Sequence, residues 1–145
     1  KKVNNLNVAG FTQVVTYAFN YFIKNGGGHI VNISSVASEI GNGLATSYNA
    51  SKAYQANYFQ GLRFKAYKLK LPIYLTDVRP GFVDTDILMG NKDKLFWVAP
   101  LDKACRQIIS GIERKSKVLY ITKRWKIISL LIKIFPEKIL RLFFR

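Results

Sequence analysis

The sequence predicts an α/β fold in which a parallel sheet is covered by helices on both faces. Three short apolar stretches are rich in β-branched residues, as buried strands are, and longer stretches with helical spacing alternate with them. Strands that alternate with helices favour right-handed crossovers and parallel pairing. Three parallel strands alone would leave an exposed edge, so we expect the domain to be incomplete in this chain.

The first half of the sequence is predicted to form a helix, a strand and a second helix. Residues 6–23 carry apolar side chains at mixed helical spacing, which predicts a mostly buried helix. Residues 29–35 are a β-branched segment after three glycines and are predicted to form a buried strand. A loop over 41–47 then leads to a long predicted helix at 48–70, which contains no proline.

The second half is predicted to form a strand, a helix, a strand and a helical tail. Pro72 opens the strand at 73–78, and a third strand is predicted at 118–122. Between them, residues 99–115 have the spacing of an amphipathic helix. Cys105 belongs to its apolar stripe, so we expect this side chain to lie in the core.

The composition limits the class of protein. Nearly half of the 145 residues are hydrophobic, which is enough for one sizeable core and excludes a disordered chain. A single cysteine excludes a disulfide framework, and we predict no metal site. No signal-peptide core opens the sequence, and no stretch reaches the roughly 20 apolar residues that span a bilayer. These features lead us to expect a cytoplasmic protein.

The residues with the clearest chemical meaning are Ser35, Tyr48 and Lys52. Tyr48 and Lys52 stand at i and i+4, on one face of the opening turn of a predicted helix. A free phenol, with a pKa of about 10, is a poor proton donor near neutral pH, but a neighbouring ammonium stabilises its phenolate. Ser35 ends a predicted strand, where its hydroxyl can hydrogen-bond a substrate oxygen. Taken alone, such a Tyr–Lys pair is more often a solvated helix start.

The sequence resembles the short-chain dehydrogenase/reductase family in four motifs. Asn32-Ile33-Ser34-Ser35 matches the serine strand of that family, and the Tyr-x-x-x-Lys motif begins 13 residues after Ser35. Residues 80–85 (PGFVDT) match its PG-x-V-x-T turn, and residues 7–10 (NVAG) resemble its Asn-x-x-Gly segment. The resemblance covers roughly residues 4–122 and implies a partial Rossmann-like, doubly wound parallel sheet.

The resemblance implies a catalytic role for each of four residues. Tyr48 would be the general acid in reduction and the general base in oxidation, and Ser35 would orient the carbonyl or alcohol. Lys52 would bind the nicotinamide ribose and lower the pKa of the tyrosine. Asn7 would hold a water that links Lys52 to solvent.

The resemblance also implies the cofactor and the reaction. Pro80 and Gly81 would shape the turn beside the nicotinamide, and Val83 and Thr85 would contact its carboxamide. Tyr48 and Lys52 complete this cofactor-binding set. The implied reaction is hydride transfer between NAD(P)(H), with no preference for NAD or NADP, and a ketone or secondary alcohol.

The glycine-rich phosphate loop of the family is absent from this sequence, and Gly41-Asn42-Gly43 has the wrong context for one. We therefore interpret residues 1–122 as the catalytic portion of a domain whose nucleotide-binding part, roughly 100 residues in a domain of typical size, is missing. The alternative is a non-catalytic remnant, membrane-associated or a scaffold, that binds no cofactor.

We predict that residues 123–145 form a helical tail that is both basic and apolar. The chain has 23 Lys and Arg against 8 Asp and Glu, and seven of these cations lie in the tail among Ile, Leu, Phe and Trp. The pattern is typical of peripheral membrane contact, with a lid or dimer contact as the alternative. It is too apolar for nucleic-acid binding. The apolar tail also suggests a lipidic substrate.

Two further expectations concern a lid and an assembly. Phe96 and Trp97 follow the PG turn, where the family has its substrate lid, although core packing explains them nearly as well. The resemblance also implies a homo-oligomer that pairs through helices 6–23 and 48–70.

Overall fold

The computed structural model describes residues 2–86, 95 and 97–143. Its sheet has three parallel strands, ordered as in the sequence. The strands are β1 (Gly28–Ile33), β2 (Ile73–Pro80) and β3 (Val118–Ile121). The predicted α/β class, the parallel pairing and all three strands are confirmed.

Helices connect and flank the strands. They are α1 (Lys2–Asn4), α2 (Phe11–Lys24), α3 (Thr46–Lys68), α4 (Leu101–Glu113), α5 (Arg124–Ile134) and α6 (Glu137–Phe143). A π-helical segment, Asn5–Gly10, joins α1 to α2, and a 3-10 turn, Val36–Ser38, follows β1. Each predicted helix is present, with ends shifted by a few residues, and the tail is helical as expected.

The side chains of β2 alternate between two cores because successive strand residues point to opposite faces. On one face, Ile73 and Leu75 pack with Phe19 of α2 and Phe59 of α3. On the other face, Val78 packs with residues of α4 and β3. The sheet is therefore covered on both faces, as the order of the elements predicts.

The prediction that residues 6–23 are mostly buried is wrong for this chain. Within α2 only Val15 and Phe19 are buried, while Val14 and Tyr17 are largely exposed. One stripe of α2 faces the sheet, and the apolar residues on the rest of the helix have no cover from the described part of the chain. Periodicity alone does not distinguish such a helix from a buried one.

The expectation that Cys105 lies in the core is also wrong, because Cys105 is exposed. The buried line of α4 passes through Ala104 and Gly111. A β-carbon at Gly111 would overlap the side chain of Leu119, so α4 lies very close to β3 along this line. One residue is a rotation of about 100° around a helix, which places Cys105 beside the contact rather than in it.

No helix among the described residues is both long enough and apolar enough to cross a membrane.

Candidate active site

Ser35 lies at the carboxyl end of the sheet, just after β1. The strand ends at Ile33, so Ser35 is not a strand residue; it caps the 3-10 turn that follows. Its Oγ accepts a hydrogen bond from the Ala37 amide (3.1 Å) and donates a long one to the Pro80 carbonyl (3.4 Å). The serine hydroxyl therefore lies between its own turn and the end of β2, at the edge where parallel sheets bind ligands.

Tyr48 and Lys52 stand on the first turns of α3. The Lys52 Nζ lies 5.9 Å from the centre of the Tyr48 ring and donates to the carbonyl of Ile33, the last residue of β1, at 2.9 Å. Tyr48 is 41% exposed, so its ring is open to a ligand. Burial lowers the pKa of the Lys52 ammonium, although the carboxylate of Asp77 opposes that shift. The pair is thereby fixed over the end of the strand that leads to Ser35.

Asn7 lies in the π-helical segment, a distortion that is often found at functional sites. Its Nδ2 donates to the Oγ of Ser51 at 3.1 Å, not to Lys52. Its carbonyl accepts from the Nε2 of Gln55 (2.9 Å), and the Oε1 of Gln55 accepts from the Lys52 Nζ (3.1 Å). The buried amide of Gln55 thus bridges Asn7 and Lys52.

Gln55 was not identified from the sequence. Its spacing of three residues from Lys52 places both side chains on one face of α3, and this spacing is the only local signal for it. The contact with Asn7 spans 48 residues of sequence and is visible only in the fold.

The turn at residues 80–85 follows β2. The Gly81 amide donates to the carbonyl of Ile121 at 2.7 Å, which ties the turn to β3. Val83 forms a parallel bridge with Ala99, and the Oγ1 of Thr85 donates to the Val83 carbonyl at 3.4 Å. Pro80, Gly81, Val83 and Thr85 therefore form one segment at the same edge of the sheet as Ser35.

Of the two residues of the predicted lid, the structure describes Trp97 only. Phe96 is outside the described residues. The Trp97 ring is partly exposed and meets the Trp125 ring of α5 edge to face, with the ring centres 5.9 Å apart. A role for Trp97 at a substrate pocket stays a prediction.

A second polar cluster borders the site. Asp77, fully buried in β2, accepts from Asn32 Nδ2 at 2.9 Å and from Arg79 Nε at 2.7 Å. Arg79 also pairs with Glu39, just beyond the Ser35 turn. Burial lowers the pKa of the Arg79 guanidinium, but the carboxylates of Asp77 and Glu39 raise it by more, so the net shift is upward. No local motif in the sequence indicates these contacts.

Ser35, Lys52 and the turn after β2 lie at the carboxyl end of the sheet, and Tyr48 stands beside Lys52. A family model described as short chain dehydrogenase matches residues 1–95, which include all four motifs. The chain belongs to the short-chain dehydrogenase family. The fold and the sequence motifs of this short-chain dehydrogenase therefore point to the same edge of its sheet.

Two curated relatives match 94% and 63% of this short-chain dehydrogenase chain. Human 17-beta-hydroxysteroid dehydrogenase 13 is 25% identical over 138 residues, which are 94% of this chain and 46% of the relative. The 11-beta-hydroxysteroid dehydrogenase A of Sesamum indicum is 30% identical over 91 residues, 63% of this chain and 25% of the relative. The chain spans less than half the length of either relative.

Solved structures confirm the partial Rossmann-like fold. A short-chain dehydrogenase from Sphingobium yanoikuyae, in complex with NADPH, is similar with a TM-score of 0.71 and 25% identity. The match covers 92% of this chain and 56% of that one. A short-chain dehydrogenase from Burkholderia cenocepacia, in complex with NADP, gives a TM-score of 0.73 at 20% identity, over 92% of this chain and 54% of that one.

Proposed function

We propose that this short-chain dehydrogenase is the catalytic portion of an NAD(P)(H)-dependent oxidoreductase that interconverts a ketone and a secondary alcohol. The observation that supports this most strongly is the Lys52 ammonium, held beside the Tyr48 ring and bonded to the end of β1. A phenol next to a fixed cation at the carboxyl end of a parallel sheet is suited to proton transfer at a bound carbonyl.

The donor set at this edge fits the nicotinamide end of the cofactor. An ammonium has three N–H donors, and two of those on Lys52 are used by Ile33 and Gln55 within the described residues. The third donor suits a ribose hydroxyl, as does the exposed hydroxyl of Tyr48. Residues 80–85 would border the ring. The bound nicotinamide supplies or accepts the hydride.

The protein residues handle the proton and the substrate oxygen. In reduction the Tyr48 hydroxyl donates its proton to the carbonyl oxygen as negative charge develops there, and Lys52 stabilises the resulting phenolate. In oxidation the phenolate takes the proton back from the alcohol. Ser35 orients the oxygen, since the one bond that its hydroxyl donates, to Pro80, is long and can be exchanged for one to substrate.

The experiment that tests this proposal is a fluorescence titration of the 145-residue chain with NADPH and NADH. We expect saturable binding that weakens at least about tenfold in Lys52→Ala, because a charge-assisted bond is lost. Lys68→Ala, an exposed lysine at the end of the same helix, is the matched control and should bind as the unmodified chain does.

The other outcomes of the titration distinguish the alternatives. Equal binding by both variants would place the cofactor elsewhere and contradict the assigned site. No binding at millimolar cofactor would favour the alternative, a chain that alone is a non-catalytic remnant.

We also propose that the tail makes peripheral contact with an anionic membrane surface and that the substrate is apolar. The outer side of α5 exposes Ile127 (62%) and Ile134 (65%), with exposed Arg124 and Lys126 nearby. Apolar side chains flanked by cations, in a chain with net charge +15, complement anionic lipid headgroups.

Co-sedimentation with vesicles tests this contact. The chain should bind phosphatidylserine-containing vesicles and not purely zwitterionic ones, and Ile127→Ser with Ile134→Ser should abolish the binding. Ile109→Ser is the matched control, because Ile109 is an equally exposed isoleucine on α4. Self-association without lipid binding would instead make α5 a contact between copies.

The exposed side of α2 and α3 supports a homo-oligomer as a further part of the proposal. Val14, Tyr17, Phe64 and Tyr67 are all well exposed on these two helices. Because such apolar area is costly to leave in water, a second copy is the expected cover. Sedimentation equilibrium of the chain, compared with Tyr17→Lys, should show a dimer or tetramer that the substitution disrupts; a monomer in both would contradict it.

A further inference from the structure

Five side chains from distant parts of the chain form one hydrogen-bonded group beside the candidate site. We call this group the Glu39 cluster: Glu39, Arg79, Tyr120, Ser129 and Lys133. Glu39 follows the Ser35 turn, Arg79 is the last residue but one of β2, Tyr120 belongs to β3, and the last two belong to α5. The cluster therefore connects the catalytic edge of the sheet to the C-terminal helix.

Glu39 is the centre of the cluster. Its carboxylate accepts from the Tyr120 hydroxyl at 2.7 Å and pairs with Arg79, and its other oxygen lies 3.3 Å from the Lys133 Nζ. The Tyr120 hydroxyl also lies 2.9 Å from the Ser129 Oγ. The side chain of Glu39 is only 5% exposed. A buried carboxylate of this kind is held in one position because any other would leave its charge uncompensated.

The cluster is joined to Ser35 through a single tight turn. The amide of Glu39 donates to the carbonyl of Val36, and the Ser38 hydroxyl donates to the carbonyl of Ser35 at 2.7 Å. The Ala37 amide donates to the Ser35 hydroxyl itself. Residues 35–39 are thus one hydrogen-bonded unit with Ser35 at one end and Glu39 at the other, so that a shift of Glu39 moves Ser35.

The cluster also reaches the turn after β2. Arg79 directly precedes Pro80, whose carbonyl is the partner of the Ser35 hydroxyl. A β-carbon at Gly81 would overlap the indole of Trp125, so α5 lies directly on this turn. Helix α5 therefore touches both segments that border the site.

We infer that Glu39 is a positioning residue and that α5, through Lys133 and Ser129, sets the position of the Ser35 hydroxyl. The catalytic role of Ser35 rests on the proposed function. The coupling between α5 and the Ser35 turn does not depend on that function. The competing explanation is a charge network that stabilises the fold as a whole and has no particular effect on that turn.

Hydrogen–deuterium exchange, followed by mass spectrometry on the 145-residue chain, separates these explanations. Lys133→Ala removes a partner of Glu39 from a half-exposed position on α5, so the fold should tolerate it. We expect exchange of the amides at residues 37–39 to rise roughly tenfold, since the ion pair between Lys133 and Glu39, which holds the turn, is lost. Peptides around Phe19, in the core that α2 and α3 form with β2, should not change.

Three variants make the result decisive. Lys126→Ala alters an exposed lysine on the same helix and should leave residues 37–39 unchanged. Lys133→Arg should restore the exchange of the unmodified chain. Tyr120→Phe keeps the ring but removes the hydroxyl, and it should act as Lys133→Ala does. A uniform rise across all peptides, or no rise at residues 37–39 in Lys133→Ala, would overturn the inference.

A second readout separates this inference from the proposed function. In the full-length product of the gene, Lys133→Ala should lower kcat several-fold and leave the KM for the cofactor unchanged, because Ser35 acts on the substrate oxygen. Faster exchange at residues 37–39 without an effect on kcat would confirm the coupling and contradict the catalytic role of Ser35.

Discussion

At the scale of single residues, the connection between Asn7 and Lys52 is the feature that most clearly goes beyond the sequence motifs. Gln55 accepts from the ammonium of Lys52 and donates to the carbonyl of Asn7, and it is buried at only 5% exposure. A glutamine amide has both an acceptor and donors, so one side chain serves both partners. Lys52 is thereby held by the π-helical segment as well as by β1.

Replacement of Gln55 by leucine should therefore cost stability. The substitution keeps the volume but removes both hydrogen bonds, so the Asn7 carbonyl loses its bond from Gln55 and the Lys52 ammonium keeps only its bond to Ile33. We expect the free energy of unfolding to fall by about 1–3 kcal/mol, measured by urea denaturation. Gln60→Leu, at an exposed position of the same helix, is the control and should change it little. Equal effects of the two variants would show that the Gln55 bridge contributes nothing.

At the scale of elements, the packing of α5 on the turn after β2 depends on Gly81. A methyl group there would overlap the Trp125 indole, so α5 must shift in Gly81→Ala. We expect a loss of about 1–3 kcal/mol in the free energy of unfolding. The tryptophan emission should also move to longer wavelength, since Trp125 is buried in the unmodified chain.

Gly61→Ala is the matched control for that substitution. Nothing lies within 4 Å of a β-carbon at Gly61, which is in the middle of α3. Alanine is the better helix former, so this variant should gain up to about 1 kcal/mol. A stabilising effect of Gly81→Ala would contradict the described contact between α5 and the turn.

The contact between the Ser35 turn and α5 should depend on pH through Glu39. Burial alone would raise the pKa of this carboxyl, but the Tyr120 hydroxyl, Arg79 and Lys133 lower it below its usual 4.5. An acid whose folded pKa is lowered contributes stability above its unfolded pKa, and this contribution is lost as the pH falls through the folded pKa. Stability due to Glu39 should thus be full near neutral pH and decline below about pH 4.5.

Urea denaturation of the unmodified chain and Glu39→Gln from pH 3 to pH 7 measures this effect. The difference in unfolding free energy between the two should be largest at pH 6–7 and shrink below pH 4.5. Glu137→Gln, at an exposed position on α6, should show a much smaller difference. A difference for Glu39→Gln that grows toward acid pH would contradict the described environment of Glu39.

At the scale of the whole molecule, the residues of the candidate site lie near the carboxyl end of the sheet. The three strands could be predicted because each contains β-branched residues, and because glycines precede the first strand and prolines bound the second. Ser35, Tyr48 and Lys52 could be predicted because the strand end and the i, i+4 spacing are local features. These are the parts of the structure that short stretches of sequence determine on their own.

Other parts could not be predicted, because they depend on contacts between distant residues. Tyr120 and Glu39 are 81 positions apart, and no periodicity links a strand residue to a loop residue at that distance. The exposure of Cys105 and of much of α2 depends on which side of a helix meets the sheet, and apolar spacing alone predicted that side incorrectly. The sequence therefore indicates the candidate residues of the site but not the contacts that hold them.

The most direct test of the central claim is the effect of Tyr48→Phe on ketone reduction by the full-length product of the gene. NADPH consumption is followed with a panel of apolar ketones, beside Tyr54→Phe, whose hydroxyl contacts Thr12 on the same helix pair. We predict that Tyr48→Phe lowers kcat by roughly 10²–10⁴-fold, the usual contribution of a general acid. Tyr54→Phe should retain the rate. Undiminished reduction by Tyr48→Phe would contradict the assignment of Tyr48 as the proton donor.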